Sequence, residues 1–157
     1  MRHVAIGDPQ ASFETFVRIL DGHGLLDDEG ALASDVHLVS MGDHFDYGKP
    51  ELRAQATKAG SSILSWLASH PPEQVTILLG NHDLARVCEL FPFSDQAFIL
   101  AHAEARALYE AKAPADAFLK KYPSVPDTEC VARDYSCFAA SQRELVTGLL
   151  RNGRLRL

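Results

Sequence analysis

The sequence predicts an α/β fold: a βαβαβ unit over residues 1–90, then a helical insert over 91–152, in a single domain of residues 1–157. Three observations predict it. Short β-branched or aliphatic runs recur at 3–6 (HVAI), 36–39 (VHLV) and 75–79 (VTILL). The segments between them carry apolar residues at helical spacing, and after residue 83 only helical spacing remains.

The elements come in order. After the first run, Phe13, Phe16, Val17 and Leu20 fall at i, i+3, i+4 and i+7 behind Ser12, a good N-cap, and Gly22 or Gly24 ends the helix. After the second run, Leu52, Ala56, Ala59, Ile63, Trp66 and Leu67 keep one helical face until Pro71 and Pro72 stop it. Helices of this kind join parallel strands. Beyond the third run, helices are expected over 83–90, 94–111, 115–121 and 136–152, interrupted by Pro92, Pro114, Pro123 and Pro126. The final RLRL, after Asn152-Gly153, alternates like the first half of a strand.

Composition sets limits. A chain of 157 residues with 46% hydrophobic content can bury one core. Fifteen Lys and Arg against 21 Asp and Glu, without a basic cluster, argue against bulk nucleic acid as a partner. No apolar run reaches the roughly 18 residues of a membrane span, and MRHVAIGD is no signal peptide, so a cytoplasmic protein without a membrane partner is expected. Cys88, Cys130 and Cys137 match no metal or redox spacing and read as reduced packing residues.

The residues just after each strand carry the chemistry. HVAI leads into Gly7-Asp8, VHLVSM into Gly42-Asp43-His44-Phe45-Asp46, and VTILL into Gly80-Asn81-His82-Asp83. Parallel strands of an open α/β sheet share one carboxyl edge, where ligand sites form. Glycine before each polar residue lets the backbone turn and approach closely. Asp, Asn and His together offer the oxygen and imidazole donors that hold Mn, Fe or Zn.

These three motifs in this order resemble the calcineurin-like metallophosphoesterase family, whose pattern is Asp-x-His, then Gly-Asp-x-x-Asp, then Gly-Asn-His-Asp/Glu, then two later His motifs. The long helix between the second and third motifs looks most like the phosphoprotein phosphatase and diadenosine tetraphosphatase branch. The resemblance covers about residues 3–90 and implies the N-terminal βαβαβ half of that family's sandwich. It implies metal-dependent hydrolysis of a phosphoester by hydroxide held between two divalent ions, Mn foremost, with Fe, Zn or Mg as alternatives. Asp8 would bind the first ion, Asp43 would bridge both and Asn81 would bind the second. His82 would protonate the leaving oxygen, oriented by Asp46, unless that pair merely braces the loops.

Departures from the pattern matter as much. Gln10 stands where the family has its first-metal histidine; it either coordinates a hard ion through its amide oxygen or serves beside the site or at the surface. Tyr47 and Leu79 stand where the branch carries phosphate-clamping arginines, which argues against a phosphoprotein substrate and for a nucleotide, a different phosphoester such as a phosphorylated small molecule, or a decayed site. His44 is expected to point toward the cleft and touch substrate or metal, or otherwise to be a solvated loop residue. His102 reads as a helix-surface or packed histidine, and His3, His23, His37 and His70 as structural or exposed. The later histidine motifs are not found before Leu157. A truncated N-terminal portion is therefore expected, incomplete as a catalyst and either a homo-oligomer through an exposed sheet or only marginally stable. The alternative function is a non-catalytic member keeping the fold for binding or assembly.

Overall fold

The computed structural model describes residues 1–46, 52–88, 94–125 and 139–157. Tyr47, Pro92, Pro126, Cys130, Cys137, residues 89–90 of the expected third helix and residues 136–138 of the expected last one lie outside them. The elements run β1 (Arg2–Ile6), α1 (Phe13–Gly22), β2 (Val36–Ser40), α2 (Arg53–Ser69), β3 (Val75–Leu78), α3 (Asn81–Cys88), α4 (Asp95–Ala111), α5 (Asp116–Lys121), α6 (Ala140–Arg151) and β4 (Leu155–Arg156). The four strands form one sheet in the order β1-β2-β3-β4, every neighbouring pair parallel. Mixed α/β architecture with a parallel sheet is as expected, and the RLRL ending supplies β4.

Local chemistry sets the boundaries. β1 begins one residue early because Arg2 donates its backbone N–H to Asp35 O, while its guanidinium pairs with the Asp35 carboxylate at 2.9 Å. Ser12 caps α1 by accepting the N–H of Thr15 at 3.2 Å, and Phe16 and Leu20 turn into the core. α2 stops at Ser69 because His70, extended at ψ 154, precedes Pro71. α6 starts at Ala140, later than expected, with the Gln142 side chain reaching back to the Ala139 N–H.

Among the described residues the sheet is covered on one face. Val36, Leu38, Val75, Ile77 and Leu155 pack there against Phe16 and Leu20 of α1, Ile63, Leu64 and Leu67 of α2, and Val146 and Leu149 of α6. The opposite face presents His3, Ala5, His37, Val39, Thr76 and Leu78, all exposed or half-buried. A second cluster gathers Phe98, Ala101 and Ala105 of α4 with Phe118 of α5 and Val125. Among the described residues no helix is long and apolar enough to cross a membrane.

Candidate metal and catalytic site

The parallel register carries the ends of β1, β2 and β3 to one edge: Ile6 pairs with Ser40, and Ser40 with Ile77. Asp8 comes two residues after β1, Asp43 three after β2, and Asn81 opens α3 behind β3. The first two loops are tied where the Gln10 side-chain amide donates to Phe45 O at 3.0 Å.

The second and third loops clasp each other. Asp43 Oδ1 accepts the N–H of His82 at 2.9 Å, at the start of α3 where free amides and the helix dipole favour a carboxylate. In return Asp83 Oδ2 accepts the N–H of Asp43 at 3.0 Å, and Asp83 Oδ1 that of His44 at 3.0 Å. Asp83 Oδ2 also accepts the N–H of Gly80 at 3.0 Å, three residues back, as the acidic half of a capping box does. Burial pushes the Asp83 carboxyl up, but the His44 ring, by hydrogen bond and charge, together with the N–H groups of Gly80 and His44, more than reverses this and leaves it below the usual carboxylate range.

Glycine is required where the two loops cross. A Cβ on Gly42, whose φ is 93, would lie 2.4 Å from Gly80 N, and one on Gly80 would lie 2.1 Å from Asp43 Oδ1. Gly7 is different: its Cβ would meet nothing within 4 Å, and Asp8 takes the left-handed turn itself at φ 36. Asp43 (φ 55) and Asp46 (φ 63) do the same, so three of the four non-glycine residues with positive φ among the described residues are candidate site carboxylates. Aspartate tolerates this region better than most residues, yet such backbone persists only where surroundings enforce it, as at functional sites.

The expected contact between His82 and Asp46 forms. His82 Nδ1 lies 3.0 Å from Asp46 Oδ2, with the imidazole about one quarter exposed at 27%. The other oxygen of Asp46 pairs with the guanidinium of Arg86, one turn further along α3, which is 1% exposed and lies over the Phe45 ring. Reading the motifs does not assign Arg86, nor the hold that the motif residue Asp83 takes on the second loop. For Arg86 the one signal is its place four residues after His82 on a short amphipathic helix.

His44 is a correction. Its side chain is wholly buried and both ring nitrogens are engaged, Nε2 at 2.8 Å from Ser40 Oγ and Nδ1 at 2.9 Å from Asp83 Oδ2. It is neither directed into the cleft nor solvated, because the buried Asp83 charge needs an imidazole partner more than the loop needs water. His102 stacks on Phe98 with ring centroids 5.9 Å apart, a packed histidine. His70 is held by the N–H of Leu32 on Nε2 and by Trp66 O on Nδ1.

Among the described residues no three His, Cys, Asp or Glu side chains gather into a metal-holding group. The edge instead offers two carboxylates, Asp8 and Asp43, and the amides Gln10 and Asn81. An all-oxygen set of this kind fits a hard divalent ion such as Mn or Mg better than Zn. The family model for calcineurin-like phosphoesterases matches residues 1–148. A comparison with curated proteins and one with solved structures each found no match.

Proposed function

The chain belongs to the calcineurin-like phosphoesterase family, and we propose that it hydrolyses a phosphorylated small molecule, a nucleotide foremost, at the carboxyl edge of its sheet. The observation that carries this reading is the reciprocal clasp of Asp43 with α3, which puts a candidate ligand and the His82–Asp46 pair on one rigid frame. Asp8 and Gln10 would hold a first divalent ion, Asn81 a second, and Asp43 both, with Mn as the favoured metal. Bound ions of this kind polarise phosphoryl oxygens and acidify a water molecule near neutral pH.

The protein's own groups do the rest. Asp46 holds His82 by Nδ1, so Nε2 is the nitrogen that can deliver a proton to a leaving oxygen. Arg86, by pairing with Asp46, fixes that carboxylate in place, and the imidazole is oriented in turn. The long helix α2 between the second and third loops supports the phosphoprotein phosphatase and diadenosine tetraphosphatase branch. Leu79, half-buried at the end of β3 and donating its N–H to Arg156 O, supplies no guanidinium for a phosphate, which supports a nucleotide over a phosphoprotein.

The test is phosphate release with added Mn from nucleotides, dinucleoside polyphosphates and phosphopeptides, in wild type and Asp43→Asn. Mn-dependent turnover lost in the variant is the expected result. A folded protein that binds no Mn and turns over nothing on the panel would overturn the reading in favour of a binding module.

A further inference from the structure

In the helical layer, α1 and the turn that follows it bound a groove, none of whose residues belongs to the candidate metal and catalytic site. The turn is ordered by its own bonds: Leu26 and Leu32 pair antiparallel, the Asp27 N–H reaches Ala31 O at 2.8 Å, and Asp27 Oδ1 accepts the N–H groups of Glu29 and Ala31 at 3.0 Å each. The helix is anchored through Phe16 and Leu20 in the core. Both walls are therefore in place before anything binds. Phe13 and Val17, one turn apart on α1, and Leu26 from the turn give the groove a half-buried apolar lining. Its volume of about 540 Å³ falls within the roughly 300–1,000 Å³ of ordinary binding pockets, but it stands open to solvent.

The rim is acidic. Glu14 and Asp21 on α1 and Asp27 and Asp28 on the turn are all exposed, against a single cation, Arg18. Among the described residues no ion pair engages any of these five side chains, so neighbours leave the field of the carboxylates unneutralised. An apolar lining inside such a rim selects an apolar side chain flanked by cations. We propose that this groove docks a short segment of a partner protein, in which one or two aliphatic side chains are flanked by Lys or Arg. Openness favours a macromolecule, because binding pockets bury most of a small ligand, whereas a partner's own chain can cover the groove from above. Charge sets aside the other occupants: nucleic acid and anionic lipid are repelled, and a second copy placed face to face would set carboxylate against carboxylate. Exposed charges of this kind are individually weak, so the rim steers and selects the segment while the aliphatic side chains hold it. Preformed walls keep the ordering cost on the partner's side.

The test follows the backbone amide resonances of the protein while a capped peptide with paired leucines between paired lysines is added, and repeats the titration with serines in place of the leucines. Expected are saturable shifts concentrated on α1 and residues 26–30, and binding of the serine peptide at least tenfold weaker. Asp21→Lys combined with Asp28→Lys should weaken the leucine peptide at least tenfold. Both positions are exposed, neither side chain makes a hydrogen bond among the described residues, and a cation in the last turn of α1 suits the helix dipole, so the variant keeps its fold and its remaining resonances. No saturable binding of the leucine peptide, equal binding of the two peptides, shifts centred on Asp8 and Asp43, or undiminished affinity in the double variant would each overturn the proposal. A wild-type dimer, measured by light scattering, that the double variant breaks would give the groove to a second copy and overturn it as well.

Discussion

Replacing Asp83 by Asn tests the clasp most directly, since the two side chains share a shape and differ in what they can accept. Asp83 takes four hydrogen bonds on two oxygens: the N–H groups of Asp43 and Gly80 and the His44 ring on Oδ2, and the N–H of His44 on Oδ1. An asparagine does best with its oxygen in the Oδ2 place, which sets its NH₂ against the N–H of His44, donor against donor. The stranded buried N–H costs about 1–3 kcal/mol. The three retained bonds lose their charge assistance, for roughly another 1–2 kcal/mol, partly offset by the burial of charge that asparagine avoids. The net loss is about 3 kcal/mol, a large part of a typical domain's stability, or roughly 6–12 °C in Tm at this size. The assay is the urea midpoint of wild type and Asp83→Asn in chelator, so that metal binding contributes nothing. pH adds a second handle. The carboxyl is held below its usual range, so its contribution is fully present above the unfolded value of about 3.9 and is lost as pH falls through the lower, folded one. The gap between the proteins should therefore be full at neutral pH and close in acid. A difference under about 0.5 kcal/mol at neutral pH would refute the clasp as a stabilising element.

Three further outcomes are expected. His82→Ala should lower kcat by about 10²–10⁴-fold while Mn content, read by elemental analysis, stays near wild type; parallel loss of metal would make His82 a ligand instead. Asp43→Asn should reduce Mn stoichiometry and also displace the His82 amide resonance, because Oδ1 serves the ion and the helix start together. Gly60→Ala should destabilise by about 1–3 kcal/mol in thermal melts, since a Cβ there would lie 2.4 Å from the Phe45 ring and 2.7 Å from His44 O.

The sequence shows most plainly what depends on neighbours in the chain. Ser12 and Pro71 bound helices by local capping and steric rules, and the apolar runs of β1, β2 and β3 lie within a residue of where the pattern puts them. Alternation within β2 even separates Val36 and Leu38, beneath the helices, from His37 and Val39 on the open face. Partnerships across forty residues of chain are not legible in this way. His44 and Asp83 stand 39 apart, and periodicity reports which face a residue occupies, not which charge waits opposite. A histidine in a polar motif therefore reads as facing the cleft, although the charge inside needs it more. The same gap hides Arg86, whose place in α3 looks like an ordinary last-turn cation until Asp46 is brought under it. The glycines teach the converse. A Gly before Asp8 and Asp43 suggests that glycine absorbs the turn, yet both aspartates carry left-handed backbone themselves, as does Asp46 behind Phe45; Gly42 shares the turn at φ 93, and Gly80 is needed for closeness rather than for φ. The strain thus sits on the carboxylates, where only the clasp and the sheet edge can hold it. A substitution that loosens Asp83 accordingly reaches the candidate ligands through the backbone, before any side chain at the edge has changed.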